Sequence, residues 1–151
     1  MKQIQKILVP IDLASDYKSI IPWVQDVAHR FNAAVFLLYV AQPVSYFPSF
    51  YVNIDMESFH AEVQVAAREK MAAIAQDLRG AFPKLQTRVE FGPPAEKILA
   101  VAEKEKMDMI IMGTSGREGV FGSVALKVMQ TALCPVLTIH PAEGESPAQT
   151  L

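Results

Sequence analysis

The stretch Asp108-Met109-Ile110-Ile111-Met112-Gly113-Thr114-Ser115-Gly116-Arg117-Glu118-Gly119-Val120-Phe121-Gly122-Ser123 decides how the rest of the sequence is read. Its first part, Asp108 to Met112, is an apolar run of strand length, and such a run fits a strand covered on both faces. Glycines at 113, 116, 119 and 122 interrupt it, and a helical pattern over Val120 to Ala132 follows. A buried strand that passes through a glycine-rich turn into a helix is the repeating unit of α/β proteins with a parallel sheet.

Toward the C-terminus, Pro135 to His140 reads as the next strand, and residues 142–151 form a polar tail expected to be disordered. Toward the N-terminus, Gly92-Pro93-Pro94 opens a helix over Ala95 to Lys104, with Pro94 able to take the first helical position. Leu85 to Phe91 alternates as a strand. Before it runs a long helix from about Asp55 to Leu78, whose Phe59, Val63, Ala67, Met71, Ile74 and Leu78 make one apolar stripe. Gly80 supplies a C-terminal stop for it. Residues 41–56 break the pattern: Pro43 and Pro48 punctuate Tyr46, Phe47, Phe50 and Tyr51, which fit self-packing, a lid or a partner surface. Ala33 to Val40 and Ile4 to Ile11 are two further buried strands. The helix between them starts somewhere in Ser15 to Ser19 and runs to about Phe31, with Ile20, Val24, Val27, Ala28 and Phe31 spaced by three and four. Pro22 sits in its first turn if Ser19 is the N-cap, and predicts a kink if the helix begins earlier. Five strands alternating with helices predict one doubly wound parallel sheet with helices on both faces.

The 151 residues suffice for a single domain, 1–141, with a packed core. Lys plus Arg number 14 against 16 Asp plus Glu, a net charge of -2 that offers no field for a nucleic acid. No apolar run approaches the roughly 20 residues that cross a bilayer. The short one at the N-terminus is broken by Pro10 and Asp12, which argues against a signal peptide. The one cysteine, Cys134, cannot pair within the chain and reads as a small buried hydrophobe, so a reducing, cytoplasmic setting is expected. His29, His60 and His140 fall in three separate elements with no cysteine or carboxylate at ligand spacing, so no metal site is expected.

In a doubly wound sheet, ligands gather at the carboxyl ends of the strands, where strand order reverses. Here those ends are Ile11-Asp12, Val40-Ala41, Phe91-Gly92 and Gly113. The glycines of 113–122 would let backbone N–H groups approach an anion, and the following helix start adds donors and positive dipole. The same residues also fit a plain strand-to-helix turn. Ser123 fits a hydroxyl donor to the anion or a helix cap, and Asp12 fits an acceptor for ribose or adenine or a buttress for its own turn. Arg117 fits a phosphate partner or a solvated charge.

The chain resembles the universal stress protein family from Lys6 to Pro141. Ile7-Leu8-Val9-Pro10-Ile11-Asp12 resembles the family's first strand, and Gly92-Pro93-Pro94-Ala95-Glu96-Lys97-Ile98 its entry to the third helix. Asp108 to Arg117 is similar to its fourth strand and phosphate loop, and Gly122-Ser123-Val124 with Cys134-Pro135-Val136-Leu137 to its last helix and strand. The resemblance implies an adenine nucleotide alpha hydrolase-like fold, strand order 3-2-1-4-5. It also implies a site for ATP or another adenine nucleotide, with Mg2+ only alongside ATP. Ile11, Asp12 and Val40 would line adenine and ribose, and the glycines with Ser123 would hold phosphate. The residues so assigned are Pro10, Ile11, Asp12, Val40, Met112, Gly113, Gly116, Arg117, Gly122, Ser123 and Val124. In one respect the chain departs from the pattern Gly-x2-Gly-x9-Gly-[Ser/Thr] of the nucleotide-binding branch: Gly122 follows Gly116 after five residues, not nine. The loop is short by about one helical turn. Fewer phosphates, AMP over ATP for instance, or an empty site would follow from that.

No Ser-His-Asp or Cys-His grouping, no Gly-x-Gly-x-x-Gly turn and no Gly-x4-Gly-Lys loop is present. The reading is therefore a non-enzymatic adenine-nucleotide-binding stress-response protein. Its rivals are a nucleotide-free interaction module of the same fold, with a protein partner the sequence does not name, and a weak ATP hydrolase. The last strand, Val136 to His140, lies at a sheet edge in the family's order, and an antiparallel homodimer through it is expected.

Overall fold

The computed structural model describes residues 2–13, 17–42, 56–114 and 122–140. Five strands, β1 (Lys6–Ile11), β2 (Ala34–Ala41), β3 (Leu85–Phe91), β4 (Met109–Gly113) and β5 (Val136–Ile139), form one sheet in the order β3-β2-β1-β4-β5. Every neighbouring pair is parallel. Four helices connect them: α1 (Ile21–Phe31), α2 (Met56–Leu78), α3 (Pro94–Lys104) and α4 (Ser123–Thr131). The doubly wound α/β reading and the strand order both hold.

Strand alternation sorts the core into two halves. Ile7, Val9 and Ile11 of β1, with Val35, Leu37 and Ile111, face Val24 and Ala28 of α1 and Met71 of α2. Leu8, Leu38, Ile110 and Met112 face the other way, onto Ala95, Ile98, Val101 and Ala102 of α3 and Ala125 and Val128 of α4. Strands covered on both faces explain why β1 and β4 read as unbroken apolar runs rather than alternating ones.

The seam between β1 and β4 is where the winding reverses, and the ladder there is short. β1 and β2 pair from Lys6↔Ala34 through Ile11↔Tyr39. β1 and β4 pair only at Ile7↔Met109 and Leu8↔Ile110. The cause lies in Pro10. Asp108 donates its N–H to the Lys6 carbonyl at 2.9 Å, so Lys6 turns its backbone polar groups toward β4. With a strand period of two, Pro10 faces the same way, and its missing N–H cannot extend the ladder. At the opposite end the seam is clamped: the N–H groups of Gln5 and Lys6 both donate to Asp108 Oδ2 at 2.9 Å. The two central strands are fastened at their amino ends and part at their carboxyl ends.

Several local readings are corrected. Ser19 is not the cap of α1. It closes a single 3-10 turn, Tyr17–Ser19, and Ile20 is the N-cap, without a side-chain cap bond. Ile20 is buried in the core, and anchoring it there sets the helix start one residue later; Pro22 then falls in the first turn, where it removes no helical bond. Gly80 is not a left-handed stop: the positive-φ glycine among the described residues is Gly92. α2 ends instead as the amides of Ala81 and Phe82 turn back onto the Leu78 carbonyl, at 3.1 and 3.0 Å, with Phe82 buried beneath. α4 begins at Ser123 with Gly122 as N-cap, so Ser123 is the first helical residue rather than the cap. Residues 46–51, Gly116, Arg117, the expected helix start at Val120 and the tail 142–151 lie outside the described residues.

Candidate functional site

A cleft of about 690 Å³ opens where β1 and β4 part, within the range of small-molecule pockets. β1 contributes Pro10 and Ile11 to its floor, and Asp12 follows directly at the exposed mouth. β4 contributes Met112 and Gly113; β2 contributes Val40. Gly122, Ser123 and Val124 close the far side from α4. All of these were assigned from sequence, and the sheet brings them together from four separate elements. The Met112 side chain belongs both to the α3–α4 half of the core and to the cleft.

The two ends of the cleft differ in chemistry. At the β1–β2 end, Asp12 stands near Tyr39, which follows Ile11 across the register. Burial, and then the negative charge of Asp12, hold the Tyr39 phenol above its ordinary pKa, so it remains a neutral hydrogen-bond donor. Tyr17 and Ser19 from the 3-10 turn and Gln42 after β2 complete that wall with further hydrogen-bonding groups. Hydroxyl, amide and carboxylate groups around apolar Ile11 and Val40 suit a flat polar heterocycle joined to a polyol.

At the β4–α4 end the groups are amides and hydroxyls. The first intrahelical bond of α4 is Leu126 N–H to Gly122 O, at 3.0 Å. The amides of Ser123, Val124 and Ala125 precede it, the N-cap Gly122 offers no side chain to them, and the first turn holds no acidic residue. Such a helix start favours an anion. Ser123 is exposed and adds its hydroxyl.

Several lining residues were not assigned from sequence, among them Tyr17, Ser19, Tyr39, Gln42 and Thr114. Thr114 is the buried polar residue of the described structure, at 4% exposure. Its N–H donates to Ile139 O at 3.0 Å, and its hydroxyl shares a hydrogen bond of 2.9 Å with His140 Nδ1. Its place directly after Gly113 was visible in the sequence, as was the adjacency of β4 and β5 through the resemblance, but not that its hydroxyl would pair with His140. Pro94 and Ile98 of α3, which also line the cleft, were read only as part of the entry to that helix. The opposite correction applies to Cys134: it is half-buried, and burial raises its thiol pKa, so it is neither fully interior nor activated.

Comparison with known proteins adds the following. A model of the universal stress protein family matches residues 3–140. A universal stress protein of Methanocaldococcus jannaschii is 30% identical over 145 residues, covering 93% of this chain and 85% of the relative. The universal stress protein UspA from Lactobacillus plantarum superposes with a TM-score of 0.74 at 23% identity, over 92% of this chain and 99% of that one. Two more distant structures share the fold. One is a universal stress protein in complex with cAMP, at TM-score 0.67 and 18% identity, over 93% of this chain and 100% of that one. The other is the universal stress protein from Archaeoglobus fulgidus in complex with dAMP, at TM-score 0.66 and 19% identity, over 91% and 99%.

Proposed function

The chain belongs to the universal stress protein family, and we propose that it works as a binding protein whose cleft takes an adenine nucleotide. The observation that carries this reading is the cleft at the parting of β1 and β4, with a polar, partly aromatic wall at one end and the first turn of α4 at the other. That cAMP and dAMP are held by two proteins of the same fold supports the class of ligand. In this reading adenine lies against Ile11 and Val40, ribose reaches Asp12, and phosphate meets the amides of α4 and the Ser123 hydroxyl.

Isothermal titration with AMP tests it. The wild-type chain is expected to bind. Ser123→Ala loses one hydrogen bond to an ionised group and weakens binding by about tenfold, in line with the ~1.5 kcal/mol lower value for such bonds. Absence of heat and of thermal protection with AMP, ADP and ATP alike would remove the nucleotide and leave an interaction module.

The reading is non-catalytic: the described lining residues include one carboxylate, Asp12, and no histidine, cysteine or lysine. A homodimer through β5 and a cytoplasmic setting belong to the same proposal, the first from the position of β5 at the sheet edge and the second from the lone Cys134. Among the described residues, no helix is long and apolar enough to cross a membrane.

A further inference from the structure

A second hollow lies at the opposite end of the sheet, beside the amino ends of β2 and β3. It encloses about 280 Å³ between the last turns of α1 and the turn that joins α2 to β3. Small side chains leave it open: Ala28 of α1, Ala33 ahead of β2 and Ala81 after α2 fill little of the space around Phe82 and Val35. Ala28, Ala33, Val35 and Phe82 are all buried, so the floor is an apolar part of the core.

The rim is polar and positively charged. Gln25, His29, Asn32 and Lys84 stand at the exposed mouth. Lys84 reaches over from the α2–β3 turn, its ammonium 3.2 Å from Asn32 Oδ1 and 3.4 Å from the Asn32 carbonyl. Both acceptors are uncharged, so the ammonium keeps its charge for a ligand. No Asp or Glu is among the described lining residues. Asp26 and Arg30, on the same stretch of α1, bond to each other at 3.0 Å. The carbonyls that end α1 are occupied as well: Ala28 O accepts the Ala33 amide at 2.9 Å, and His29 O the Asn32 amide at 3.2 Å.

We propose that this hollow is a ligand site in its own right, for a small carboxylate with a compact hydrocarbon body, aromatic or branched aliphatic. The hydrocarbon lies on Phe82, Val35 and the alanines, and the carboxylate meets the Lys84 ammonium at the rim. Apolar burial supplies the affinity, and the charge-assisted bond fixes which end faces out. The volume is less than half the 690 Å³ of the first cleft, which favours a ligand smaller than a nucleotide. The inference does not rest on the nucleotide reading.

Titration of the full isotope-labelled chain with benzoate, benzamide and benzylamine into the millimolar range, followed at the amides of Ala28, Asn32, Ala33, Phe82 and Lys84, tests it. Benzoate is expected to shift these resonances and to bind about fivefold tighter than its neutral isostere benzamide, the effect of one partly exposed ion pair. Benzylamine, with the same ring and the opposite charge, is expected to bind more weakly than benzamide. Added salt weakens benzoate and leaves benzamide unchanged. Lys84→Met, which keeps an apolar stem, is expected to bring benzoate down to the level of benzamide while benzamide binding persists. No shift of these amides with benzoate overturns the proposal. So does equal binding of benzoate and benzamide by the wild-type chain, or a preference for benzoate that survives Lys84→Met.

Discussion

Asp108 shows how far one side chain can reach in a sheet of this kind. Its carboxylate accepts the amides of Gln5 and Lys6 while its own N–H meets the Lys6 carbonyl, so one residue ahead of β4 fixes the start of β1 from two sides. Lys6 is held further, its ammonium 3.2 Å from the Glu105 carbonyl and 5.7 Å from the centre of the Phe36 ring. Asp108→Ala strips two charge-assisted acceptor bonds from backbone donors at a partly exposed site. A loss of about 1.5–3 kcal/mol is expected, read by urea unfolding of the variant against wild type. From sequence Asp108 was only the first residue of a strand, because its partners lie at the far end of the chain. Thr114 was overlooked for the same reason. A hydroxyl in a glycine loop looks solvated until the partner strand brings His140 to it.

At the scale of the element, the periodic segments were legible and the junctions were not. The apolar stripe of α2, with Ala67 and Met71 buried, and the bounds of β3 follow from spacing alone. The start of α1 depends on where Ile20 finds a hydrophobic slot, which no cap preference encodes. Glycines show the same divide. Gly80, expected to stop α2, needs no special backbone, whereas Gly92 between β3 and α3 takes φ 142°. The Gly92 amide donates to Ala41 O at 3.0 Å, which ties the turn to the end of β2, and a Cβ there would stand 2.7 Å from Lys97 Cε. The lysine stem can swing aside; the backbone cannot. Gly92→Ala is therefore expected to cost about 1–3 kcal/mol from the positive φ. The matching Gly80→Ala, with nothing within 4 Å of the added carbon, is expected to unfold at the wild-type denaturant concentration or above it.

For the whole molecule, the two edges of the sheet differ. β3 at one edge carries Arg88, bonded to Glu90 at 2.7 Å and to Glu105 at 2.8 Å, a charged border that discourages strand addition. β5 at the other edge is four residues long and uncharged, with Leu137 left 38% exposed. Antiparallel pairing of β5 with a second copy would cover that side chain, while Pro135 keeps the pairing short. Light scattering at micromolar concentration is expected to give twice the chain mass, and Leu137→Asp to shift it toward the monomer. A wild-type monomer mass at that concentration would exclude this dimer. The class of fold was readable from alternation of strand and helix. The cleft was readable as a location, since strand ends at a reversal of winding attract ligands whatever the chain.

The imino acid at position 10 acts in the middle of the sheet as a zip stop. Because the β1–β4 seam cannot close past Leu8, the hollow behind it is written into the covalent chain and does not wait for a guest to prise it apart. In the proposed binding role a ligand would meet a berth already cut between the two strands, and little of its affinity would go to separating them.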